Sequence, residues 1–388
     1  MTRFSYHTTI LALCSLIALP GLAADPVHSD VFISGEEGYH TYRIPAITTT
    51  YGGTVLAFAE GRANRDDHAR NDIVLKRSED GGLTWLPVQV IAQDGQNALN
   101  NPCVLALRDS DRVLLMFQHY PAKSGGERGV DTGVEGKNIC RNLLMYSDDQ
   151  GKTWSNQEDI TAQTKRPTIV TSIASGPGNG IELRHGKHAG RIIFPFNQGP
   201  YGDWRVYAVY SDDKGKTWSY GDVAPNDVKG LSNEVLMAEL SDGRVRINSR
   251  SNGGDKLRKT AVSEDGGQTW SPLQKVKDLP EPQCNSGFLR YSDPADGEKS
   301  RLLYTGPISQ KRRNKGYVHV SYDEGETWSV RRELVPGKFA YSALTRLPNG
   351  DAGCLYETGI KDSSEKIVLV HFSMDWLANG KDQLKAGK

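Results

Sequence analysis

The sequence predicts an all-β protein, folded as a six-bladed β-propeller, and three observations lead there. First, an octapeptide of pattern S-x-D-x-G-x-T-W occurs five times, beginning at Ser78, Ser147, Ser211, Ser263 and Ser321. Second, each copy follows a run rich in β-formers: DIVLKR, NLLMY, VYAVY, KTAV and YVHV. Third, the copies lie 52 to 69 residues apart, which leaves room for four short strands per unit. Recurrence at such a period marks a repeat architecture, and four-stranded sheets set radially make a propeller. About 60 residues follow the last copy, so six blades fit better than five or seven. A tandem β-sandwich is the alternative.

Taken from the N-terminus, residues 1–23 read as a secretory signal rather than fold. Arg3 is basic, Ile10–Leu19 is an apolar run, and Gly21–Ala23 offers small residues for cleavage. That run is too short to span a bilayer as a helix. The chain is therefore expected to be exported, to the periplasm or the medium. Removing Cys14 leaves Cys103, Cys140, Cys284 and Cys354, which allows up to two disulfides in an exported protein. With 47 basic and 47 acidic residues, no global field favours nucleic acid or an anionic membrane. No CxxC pair or His/Cys cluster suggests zinc.

The first strand candidate of the mature chain is Asp30–Gly35. The last is Lys366–Ser373, and pairing of the two would close the ring. Next comes Tyr42–Pro45, YRIP. Arginine is seldom buried without an anionic partner, so Arg43 implies a carboxylate, either the protein's or a ligand's. Glu60–Asp72 reads as a 13-residue polar loop between two apolar strands, a length that is often functional.

The octapeptide reads as a hairpin turn. Ser and Asp side chains hold nearby amides, Gly supplies a positive φ, and Trp packs into the layer beneath. It resembles a calcium loop only superficially, because the closing glutamate is missing. Lys123–Asn138 is glycine-rich and suits a rim segment. Asn233–Arg250 reads as a hairpin about Ser241–Gly243, and that register sets Glu234 opposite Arg250 on one face. Arg312 and Arg313 precede the last octapeptide, and Tyr341 starts the strand-like run that follows it.

YRIP together with the repeated octapeptide, the Asp box, resembles the exo-sialidase (neuraminidase) family of glycoside hydrolases, over nearly all of residues 24–388. The resemblance implies one catalytic propeller domain with its site at the centre of one face and the boxes on the rim. It implies a retaining exo-α-sialidase acting on a sialylated glycan, with no cofactor or metal. Tyr341 would be the nucleophile and Glu234 its base. Asp67, with Asp66 beside it, would be the acid/base. Arg43, Arg250 and Arg313, with Arg312 adjacent, would clamp the sugar carboxylate. Arg62 would reach a ring hydroxyl, and Asn101 would line the pocket. A phenol is a poor nucleophile until a base takes its proton, and a neutral tyrosine avoids repulsion by the substrate's own carboxylate. One departure is Val235, where the family more usually has serine after the glutamate. The same fold with transfer or anhydro-forming chemistry, or with a related nonulosonic acid as substrate, is the first alternative. A non-catalytic glycan-binding propeller is the second.

Overall fold

A computed structural model describes residues 24–385; the expected signal segment, residues 1–23, lies outside the described residues. The described chain is almost wholly strand, with only single turns of helix such as Thr161–Thr164 and Met374–Leu377. Among the described residues no helix is long and apolar enough to cross a membrane.

The five octapeptides are alike in detail. The strands Asn71–Ser78, Arg141–Ser147, Arg205–Ser211, Leu257–Ser263 and Asn314–Ser321 each end on the octapeptide serine. Each pairs antiparallel with the strand that follows its turn. The serine hydroxyl accepts the glycine N–H four residues on at 2.7–2.9 Å. The threonine hydroxyl donates to the aspartate Oδ2 at 2.6–2.7 Å. The glycine has φ between 78° and 96°, a region closed to most side chains. The aspartate oxygens are thus engaged by the turn itself. Burial pushes the carboxyls of Asp80, Asp149 and Asp213 up, but these hydrogen bonds outweigh it and bring them to about 2.

The first and last strands close the ring. Val27–Ile33 pairs antiparallel with Lys366–Phe372, in a sheet completed by Ala352–Thr358 and Ser342–Arg346. Apolar clusters fill the spaces on and between the sheets. Strands Thr41–Thr49, Ala98–Ala106, Ile173–Ser175, Leu231–Glu239, Gly287–Ser292 and Ser342–Arg346 neighbour one another in turn and surround the centre.

The arrangement is a β-propeller, but the expected six separate blades are corrected. Four sheets are built on a path of four strands, and the remaining strands form one nine-stranded sheet. The cause is a parallel bridge between Asn71 and Ala98, which joins neighbouring repeat units into one hydrogen-bonded sheet.

Three further expectations are corrected. Glu60–Asp72 is not one loop, because Val55–Arg62 and Asn71–Ser78 stay paired up to Arg62 and Asn71 and only residues 63–70 connect them. The hairpin keeps the expected register from Glu239–Val245 to Val235–Ser249, and then a bulge shifts it, so Glu234 does not sit directly opposite Arg250. All four cysteines of the described chain are buried as free thiols, so the two possible disulfides do not form.

Candidate active site

Bulges prepare the site. Inner strands carry register shifts between Arg43 and Ala46, between Asn100 and Cys103, and between Ser232 and Val235. A bulge turns a side chain out of the alternating pattern and bends the strand, which suits a site at the end of a ring of strands. Two are strained: Ile44 has φ 62° and Asn101 has φ 56°. For a β-branched residue such as Ile44 this costs about 1–3 kcal/mol and persists only when neighbours impose it. Here the Ile44 N–H donates to Glu357 Oε1 at 2.9 Å.

All eight residues expected at the site line one cavity of about 310 Å³: Arg43, Arg62, Asp67, Asn101, Glu234, Arg250, Arg313 and Tyr341. They come from strand ends and connections in different sheets, so the cavity exists only once the ring is assembled. The two alternatives, Asp66 and Arg312, are exposed and do not line it.

At the centre, the Tyr341 hydroxyl donates to Glu234 Oε1 and accepts from Arg250 Nη1 at 2.8 Å. Arg250 Nη1 also donates to Glu234 Oε2 at 2.6 Å. The guanidinium carbons of Arg43 and Arg313 stand 5.2 and 5.1 Å from the Tyr341 ring centroid. Burial raises the phenol pKa, Arg250 pulls it back and Glu234 adds to the rise, so in the free protein it stays well above its ordinary value. The phenol is therefore protonated, with a carboxylate already accepting its hydrogen bond and three cations ready to stabilise a phenolate.

The three arginines differ in what they already hold. Arg43 Nε and Nη2 donate to Glu357 at 2.7 and 3.2 Å. Burial alone would lower the Arg43 pKa, but Glu357 outweighs it and raises it. Arg250 pairs with Glu234. Arg313 donates Nη2 to the Gln283 carbonyl at 2.7 Å, and none of the described carboxylates lies within ion-pair reach of it. A half-buried guanidinium with no protein anion matches an anionic ligand.

Asp67 sits on the connection above. Its Oδ1 accepts from Arg62 Nη1 at 2.6 Å and lies 3.8 Å from Arg43 Nη1, and the side chain is 70% exposed. Its main-chain carbonyl accepts from Asn71 and Asn100 side chains at 2.7 and 2.8 Å, which fixes the loop. Neighbouring protein pushes the carboxyl up, but Arg62 and then Arg43 outweigh this and lower it. Arg62 is fully engaged by Glu60 and Asp67. Asn101 contributes its N–H to Glu60 Oε1 at 2.7 Å.

Two functional candidates escape the sequence reading. Glu357 is buried, positions Arg43 and accepts from the Tyr341 N–H at 3.3 Å. A charged residue inside the apolar run AGCLYET was the available signal. Glu127 lines the cavity from the turn Gly126–Arg128, inside the glycine-rich rim segment. Gly126 packs against the His68 ring so closely that a Cβ would lie 2.0 Å from it, which ties this turn to the Asp67 loop. Burial, then Glu234 and Asp67, raise the Glu127 carboxyl to about 7, against Arg250 and Arg128.

The fold and the cavity define a repeat propeller with a charged central site. A family model described as a BNR repeat-like domain matches residues 53–354. The sialidase of Micromonospora viridifaciens is 36% identical over 359 residues, covering 90% of this chain and 54% of that protein. Sialidase-2 of Mus musculus is 30% identical over 372 residues, covering 87% of this chain and 93% of that protein. Among solved structures, the Hadza microbial sialidase Hz136 superposes with a TM-score of 0.78 at 26% identity, covering 89% of this chain and 68% of that one. The chain belongs to the BNR-repeat sialidase family. It spans just over half the length of the Micromonospora relative.

Proposed function

We propose that the protein is a retaining exo-α-sialidase that removes terminal sialic acid from glycoconjugates. The observation that carries this reading is Tyr341, whose hydroxyl lies between Glu234 and Arg250 in a cavity that also holds Arg43, Arg313 and Asp67.

Arg43, Arg250 and Arg313 bind the sugar carboxylate, and Arg313 brings no competing protein anion. That carboxylate offsets the cations that keep Asp67 ionised, so substrate binding raises the Asp67 pKa and lets it take up a proton. The Tyr341 oxygen attacks the anomeric carbon as its proton passes to Glu234. The bond to the leaving oxygen breaks, and Asp67 protonates that oxygen. Water, deprotonated by Asp67, then attacks the same carbon. The tyrosine oxygen leaves and recovers its proton from Glu234, and two inversions leave the α-configuration. Export through residues 1–23, to the periplasm or the medium, is part of this proposal.

The test is release of a fluorophore from an α-sialoside by the purified protein, with products followed by NMR. Appearance of α-sialic acid first supports the retaining hydrolase. An anhydro or transferred product moves the reaction to the transfer class on the same scaffold. A folded protein that releases nothing rejects the sialidase activity.

A further inference from the structure

A second depression opens beside the reaction cavity, of about 690 Å³ against about 310 Å³. Arg313 lines both, so the two lie side by side across this one side chain. The walls are Arg312 and Arg313, Pro336 to Lys338, and Gly359 to Ser363.

The charge of this groove departs from that of the chain. The whole protein is formally neutral, but the groove gathers Arg312, Arg313, Lys338 and Lys361 against one acid, Asp362. Asp362 is already engaged, accepting from the Ser364 N–H and hydroxyl, both at 2.8 Å. Among the described residues, the side chains of Arg312, Lys338 and Lys361 have neither an ion pair nor a hydrogen bond. Beside them Ile360 is 91% exposed, an apolar surface in the same wall. A solvated basic rim needs neither a wall shared with the cavity nor an apolar residue held out in water.

The groove also borders the connection that carries Asp67. Asp67 delivers the proton to that group. Two residues before it on the same connection, Arg65 stands 3.7 Å from Asp362 of the groove wall. A glycan that leaves the cavity past the Asp67 loop on this side meets these cations.

We propose that this groove is a leaving-group subsite for an acidic sugar, one that carries its own carboxylate, such as a second sialic acid next to the one removed. The proposal rests on the sialidase reading and adds the class of its preferred glycan. Cations in water change binding of a nearby anion by about threefold each, so two of them, Lys338 and Lys361, give about a tenfold preference at low salt.

The experiment compares kcat/KM on sialyl-lactose, whose leaving sugar is neutral, with disialyl-lactose cleaved at its outer bond. Wild type is compared with the double variant Lys338→Glu, Lys361→Glu; both side chains are exposed and neither touches the reaction cavity. The expected result is about a tenfold preference for the disialyl substrate. That preference disappears in the variant, and in wild type at about 1 M salt where the screening length is about 3 Å, while the rate on sialyl-lactose holds within about twofold. Equal rates on the two substrates in wild type overturn the subsite, as does a preference that survives charge reversal; either leaves the sialidase reading intact. Absence of turnover on both rejects that reading and the subsite with it.

Discussion

Replacing Glu127 by glutamine removes a charge that the cavity resists. The carboxyl shares the cavity with Asp67 and Glu234, and burial and these two acids raise it from 4.5 to about 7. Below pH 4.5 the folded and unfolded chains both carry this proton, and its effect on stability vanishes. Between pH 4.5 and 7 the unfolded chain ionises first, so the wild type loses stability as the pH rises. Above pH 7 the loss is complete, at about 3 kcal/mol from the free energy of a pKa difference of this size. Glutamine has no proton to lose. Glu127→Gln is therefore expected to match wild type at pH 4.5 and to melt higher at pH 8, by about 1–2 °C per kcal/mol for a chain of this length. Calorimetric melting of both proteins across this range reads the difference, because groups away from the cavity titrate alike in both. A difference independent of pH, or a variant that melts lower at pH 8, would refute the placement of this carboxyl against Glu234 and Asp67.

Tyr341→Phe deletes the hydroxyl between Glu234 and Arg250; turnover of an α-sialoside should fall by at least about 10³-fold while a sialic acid analogue still binds, and a wild-type rate would reject the nucleophile. Glu357→Ala leaves the Arg43 guanidinium and the Ile44 N–H without their acceptor, so denaturant unfolding should show a loss of about 3–5 kcal/mol. Asp265→Ala removes the acceptor of Thr269 and of the Ser263 hydroxyl far from the cavity, so stability should fall by about 1–3 kcal/mol with kcat unchanged. Burial raises the thiols of Cys284 and Cys354 to about 12, so a thiol reagent should leave the folded protein untouched and find all four described cysteines free after unfolding without reductant.

What the sequence by itself determined is what local chemistry completes within a few residues. Ser, Asp, Gly and Thr of each octapeptide satisfy one another, so the five turns and the strands ending on Ser78, Ser147, Ser211, Ser263 and Ser321 were legible without any distant contact. Pairing of the first and last strands was legible too, because both are apolar runs at the ends of a repeat; its antiparallel direction came from the structure. The eight site residues could be named from motifs that survive as short strings, YRIP foremost. Tertiary structure alone decided their partners. Glu357 meets Arg43 across 314 residues, and Glu127 faces Glu234 from a glycine-rich segment with no motif of its own. The bulge that takes Glu234 out of register, the bridge that fuses neighbouring units and the isolation of the four thiols belong to the same class. Each depends on how strands from distant segments meet around a common centre. That meeting is fixed by packing among whole sheets, and no window of sequence records it.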